Sequence, residues 1–133
     1  MFDKLFPESF YNYLKKIPLD KVTEIRLRLN KKVLIAIGQK YYYLSTEGLT
    51  GKEYSALVVD KSLIDEIIKR ACESSVYAFN DQIKNGFITV LGGMRIGISG
   101  EAVFENGRIK TLKNINGLAI RIDTRTGTYM ERI

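Results

Sequence analysis

The chain has 133 residues, 45% of them apolar and 27% charged, the balance of one soluble globular domain. It has no histidine and a single cysteine, Cys72. An intrachain disulfide is therefore excluded, and the commonest general base and metal ligand are both missing. A net charge of +6 and a pI near 9.4 permit contact with nucleic acid, anionic lipid or an acidic protein face without choosing among them.

Pro7 suits the first turn of a helix, Phe10, Tyr13, Leu14 and Ile17 follow at helical spacing, and Pro18 ends it. The period then changes to two. Glu24, Arg26 and Arg28 alternate with Ile25, Leu27 and Leu29, which predicts a half-buried strand with a charged outer face. Asn30–Lys32 reads as a turn and Val33–Ile37 as a more buried strand. Gly38–Lys40 turns again into Tyr41–Leu44. Ser45–Tyr54, with Gly48 and Gly51, reads as a loop. Asp60 is a fitting N-cap for a helix whose apolar face is Leu63, Ile64, Ile67, Ile68, Ala71 and Cys72. That stripe makes Cys72 a buried structural thiol rather than a nucleophile. A second short helix is predicted from about Val76 to Lys84, stopped by Gly86.

The last third alternates strand and turn. Phe87–Leu91 leads through Gly92-Gly93 into Met94–Ser99. Glu101–Phe104 leads through Asn106-Gly107, a two-residue hairpin signal, into Arg108–Leu112. Leu118–Ile122 closes the sheet. Helix, three strands, two helices, then four or five strands implies an α+β fold with a pair of helices on one face of an antiparallel sheet. Residues 1–122 form one domain in this reading, and 123–133 a tail or linker. No apolar run approaches the ~20 residues of a membrane helix. Asp3, Lys4 and Glu8 interrupt any signal-peptide core, so the expected location is cytoplasmic.

Complete catalytic motifs are missing from the 133 residues. Gly48-Leu-Thr-Gly51-Lys52-Glu53 comes nearest to a phosphate loop, but its spacing is wrong and Glu53 stands where a magnesium-binding hydroxyl is needed. Gly48-Leu-Thr-Gly51 also matches the bare GXXG of an RNA-binding loop, without the two flanking helices that loop requires. Asp65 and Glu66 are neighbours on a helix and so point apart. Tyr41, Tyr42 and Tyr43 could stack on bases, although three in a row on a strand alternate between its faces. The arginines are more suggestive. Arg26 and Arg28 share a strand face, Arg95 follows a Gly-Gly turn, and Arg121 sits on the closing strand. A guanidinium held on a strand offers a planar fork to phosphate oxygens. The plainer reading of any one of them is a surface arginine paired with Glu24 or Asp123.

The run Ser74-Ser75-Val76-Tyr77-Ala78-Phe79, followed by Gly86-Phe87-Ile88-Thr89 and Gly92-Gly93-Met94-Arg95-Ile96-Gly97-Ile98-Ser99-Gly100, resembles the stage III sporulation protein AA family. So do Glu24-Ile25-Arg26-Leu27-Arg28 and Lys113 to Ile122. The resemblance implies a PAS-like N-terminal regulatory and oligomerisation domain, without enzymatic activity of its own. It would be joined to a C-terminal secretion-type ATPase domain that binds ATP and magnesium, with no cofactor or metal in the present residues. It further implies a hexameric ring on the mother-cell face of a membrane-associated complex, with other sporulation channel proteins as partners. Arg95, Arg121, Arg26 and Arg28 lie on the matching motifs as nucleotide or partner contacts. Two alternatives remain open at this point: a basic nucleic-acid-binding module and a small ligand-sensing domain.

Overall fold

The computed structural model describes residues 2–73, 79–83, 85–90 and 92–122. Helices α1 (Phe2–Leu5) and α2 (Glu8–Leu14) open the chain. Strands β1 (Val22–Arg28), β2 (Leu34–Ile37), β3 (Lys40–Ser45) and β4 (Gly48–Thr50) follow. Then come α3 (Lys61–Glu73), α4 (Phe79–Ile83), β5 (Phe87–Val90), β6 (Met94–Glu105) and β7 (Arg108–Ile122). The strands make one seven-stranded sheet of order β4-β3-β2-β1-β7-β6-β5, antiparallel at every pairing. The last strand thus lies in the interior and joins the two halves of the chain.

Alternation decides the two faces, because directly paired residues point the same way. Ile35, Ile25, Ile120 and Ile96 lie side by side across four strands and are buried. Leu5, Phe6, Phe10 and Leu14 of the N-terminal segment, with Ile64, Ile67 and Ala71 of α3, complete the same cluster. Asp60 caps α3 as its sequence suggests, its Oδ1 accepting the Leu63 N–H at 2.8 Å. Arg70 fastens the N-terminal corner to α3. Its Nη1 donates to the Phe6 carbonyl at 3.2 Å and its Nε to Glu66 Oε1 at 3.0 Å.

Several sequence expectations need correction. Ser45–Tyr54 is not wholly loop. It holds β4 and a 3-10 turn at Glu53–Ser55, and Ser45 Oγ donates to the Gly48 carbonyl at 2.9 Å, tightening the turn between β3 and β4. This places Gly48–Gly51 on and just after a strand, not between helices. The two short strands expected on each side of Asn106-Gly107 are continuous long ones. Beyond Ser99 and before Asn116, β6 and β7 pair only with each other among the described residues, forming an arm past the sheet. A bulge between Ser99 and Glu101 starts the arm. A Cβ on Gly100 would lie 2.9 Å from the Lys113 carbonyl oxygen and 3.2 Å from Ile115 Cα, so only glycine fits there without moving backbone. At the arm's tip Asn106 and Gly107 both have positive φ, 54° and 77°, as a two-residue hairpin turn requires.

Cys72 is exposed rather than buried. It lies one residue past Ala71, off the edge of the stripe that meets the sheet. Partial desolvation, then the neighbouring Glu73 carboxylate, push its thiol above its ordinary range, which keeps it protonated at neutral pH. Of the second predicted helix, Phe79–Ile83 is seen, and the rest of Val76–Lys84 lies outside the described residues, as does the tail from Asp123.

Candidate functional site

The second face of the sheet carries the polar half of each alternating strand. Reading across the register, Tyr41, Ala36, Glu24, Arg121, Arg95 and Thr89 form one row. The next row is Tyr43, Leu34, Arg26, Ala119, Gly97 and Phe87. Arg28, Gly117 and Ser99 begin a third. All four arginines singled out from the sequence therefore share one face, although they come from three strands and are up to 95 positions apart (121 − 26). Between them lies a floor of small residues, Gly97, Ala119, Gly117 and Ser99.

The four are not equivalent. Glu24 is buried at 8% exposure and holds two of them. Its Oε2 accepts from Arg26 Nη2 at 3.1 Å and from the Tyr41 hydroxyl at 3.3 Å, and its Oε1 accepts from Arg121 Nε at 3.4 Å. The Arg26 guanidinium also lies 5.4 Å from the Tyr41 ring centroid. The expected pairing with Glu24 is thus real for Arg26 and Arg121, while Asp123 lies outside the described residues. Arg95 and Arg28 are exposed and have no carboxylate within ion-pair reach among the described residues. Arg95 instead rests on Phe87, 4.0 Å from the ring centroid, a cation–π contact that restrains the guanidinium. Arg95 stands directly opposite Arg121, and like charges so placed repel. Among the described residues, these three rows carry four cations and one anion, an excess of positive charge suited to meeting negative charge.

Phe87 was not singled out from the sequence. The signal for it was the Gly92-Gly93 turn, whose positive φ values of 95° and 85° bring β5 back so that Phe87 pairs with Gly97 and reaches Arg95. Tyr41 and Tyr43 share the arginine face, while Tyr42 pairs with Ile35 on the core face. A separate cavity of about 610 Å³ lies between α4 and the tip of the arm, lined by Asn80, Asp81, Glu105, Arg108, Ile109 and Lys110. Its lining is mostly charged and specifies no ligand. Among the described residues, no group of three acidic or cysteine side chains is placed to hold a metal ion, and no helix is long and apolar enough to cross a membrane.

The sequence profile of the family described as "Sporulation stage III, protein AA" matches residues 10–131. The chain belongs to this family. It is also 33% identical over 123 residues to a protein of Bacillus subtilis (strain 168) named "Stage III sporulation protein AA". That match takes in 90% of this chain and 36% of the relative, so the chain spans about a third of its relative's length. The matched region includes all four arginines, Glu24 and Phe87.

Proposed function

We propose that this chain is the non-catalytic N-terminal domain of a sporulation-associated, secretion-type ring ATPase, and that the arginine face is its contact surface on a neighbouring subunit. The observation that carries this reading is the gathering of Arg26, Arg28, Arg95 and Arg121 on one sheet face, two of them without a counter-ion among the described residues. A domain acting alone gains little from like charges set opposite each other. A domain that meets a neighbour's acidic groups or nucleotide phosphates gains charge-assisted hydrogen bonds. Family membership supports the sporulation setting. The two-thirds of the relative that lies outside the match gives length for the ATPase domain, which would bind the ATP and magnesium. The helix-on-sheet layering suits the PAS-like comparison. In this reading the domain sits in the cytoplasm at the mother-cell face of a membrane-associated complex, in a hexamer with other sporulation channel proteins as partners.

The test is deletion of residues 1–122 from the full-length protein. The truncated ATPase domain is expected to bind nucleotide yet to sediment as smaller species, with turnover lowered at least tenfold, while the present chain alone hydrolyses nothing. A truncated protein that assembles and turns over normally would sink the proposal.

A second reading has one observation in its favour. Tyr41, Tyr43 and Phe87 share the arginine face, and aromatic rings among cations on an open sheet are how many single-stranded nucleic acids are held. This reading expects binding that falls with salt at a log–log slope of about −2 to −3 for four phosphate contacts. A flat titration with single-stranded RNA and DNA at low salt removes it.

A further inference from the structure

We propose that Glu24 is a built-in competitor for the arginine face, so that an oxyanion enters by taking Arg121 from it, and that this exchange favours multiply charged phosphoryl groups over single carboxylates. The inference rests on the reading of the arginine face as a contact surface and adds how that surface is regulated.

The two oxygens of Glu24 are unequally engaged. Oε2 has two donors, Arg26 and the Tyr41 hydroxyl, at 3.1 and 3.3 Å. Oε1 has Arg121 alone among the described residues, at 3.4 Å through a single Nε, a long contact for a charged pair. The Arg121 side chain is 75% exposed and that of Glu24 only 10%. Arg121 is therefore the partner free to swing, and Glu24 the fixed one. When Arg121 leaves, Glu24 keeps Arg26 and Tyr41, so no buried charge is stranded, which is the condition that makes such an exchange affordable.

The position that Arg121 turns towards is also defined. Arg95 lies directly across the β6–β7 pair, held against Phe87, with Gly97 and Ala119 making a low floor beside it. An oxyanion bridging Arg95 and Arg121 cancels the repulsion between them and accepts two guanidinium edges at once. A lone carboxylate arriving there only replaces Glu24 like for like, against a competitor that is tethered and so present at high effective concentration. A phosphoryl group brings more charge and three acceptor oxygens, and so wins the exchange.

The experiment titrates the chain with inorganic tripolyphosphate and, separately, with acetate, following backbone amide shifts and heat. Tripolyphosphate is expected to bind at Arg95 and Arg121, and acetate to bind far more weakly. Glu24→Gln keeps an acceptor for Arg26 and Tyr41 but frees Arg121. It should tighten tripolyphosphate binding about threefold to fivefold, the range that a largely exposed ion pair supports, and narrow the preference over acetate. Glu24→Asp, which withdraws the carboxylate by one methylene, should fall between the two and serves if the Gln variant folds poorly. Glu47→Gln removes an equal charge from the exposed β3–β4 turn and should leave affinity nearly unchanged. If Glu24→Gln binds no better than Glu47→Gln, the competitor role is overturned even where Arg95→Ala still weakens binding. If no binding depends on Arg95, the contact-surface reading fails with it.

Discussion

Replacing Ile120 by alanine is expected to lower the unfolding free energy by about 4 kcal/mol, within the range of large-to-small changes at closed core sites. Ile120 is fully buried and pairs with Ile25 on one side and Ile96 on the other. Its strand β7 joins β1–β4 to β5 and β6. The neighbours that would have to close over the cavity are themselves held in sheet register, so collapse is restricted and the cavity persists. Leu112→Ala, on the half-exposed outer arm, should lose about 1 kcal/mol or less. Urea unfolding followed by circular dichroism checks both, with an unchanged m-value as the condition for comparing midpoints. A loss below about 1 kcal/mol for Ile120→Ala would mean that the halves are not welded through this residue. Two separate transitions would mean that they fold independently.

What the sequence disclosed follows from the range over which each signal acts. Alternation is local, so the charged face of β1 and the division of Tyr41, Tyr42 and Tyr43 between two sheet faces were legible, while which of them faces the arginines came only from the register. So were the cap at Asp60 and the turn at Asn106-Gly107, which depend on a few adjacent residues. Register between distant strands is not local. Nothing near Glu24 tells that its cross-strand neighbour is Arg121, which lies 97 positions away. The arginines were identified as candidates and Glu24 as a plain partner for one of them, but that Arg26 and Arg121 share its carboxylate from two strands was not legible. The long arm was hidden for a different reason. Gly100 and Asn114, the latter at φ 49°, are bulge residues, and in sequence a bulge reads like a turn because both call for the same residue types. A three-residue strand such as β4 has no period to detect. Cys72 shows the limit of helical stripes: beside the fully buried Ala71 it is exposed, off the edge of the stripe that meets the sheet.

On the proposed ring-ATPase reading, the double variant Arg95→Ala/Arg121→Ala, placed in the full-length protein, is expected to lower ATP turnover about a hundredfold. Each arginine that meets a charged group contributes about 1.5 kcal/mol or more when desolvated at an interface, and two such losses reach the ~2.7 kcal/mol of a hundredfold change. The fold should survive. Both side chains lie on the face opposite the core, Arg121 is largely exposed, and removing the pair relieves a like-charge contact across β6 and β7. Glu24 retains Arg26 and Tyr41, so its burial stays compensated. The comparison that isolates the site is Lys31→Ala/Lys40→Ala. It removes the same charge from exposed turn and strand-end positions outside the arginine rows and is expected to leave turnover within about twofold. Turnover per subunit is read alongside sedimentation of the ring and the urea midpoint of the isolated domain. Slow turnover with an intact ring would place the arginines at the nucleotide, whereas slow turnover with a dissociated ring would place them at the subunit contact. Wild-type turnover in a wild-type ring would leave the arginine face without a role in the proposed motor.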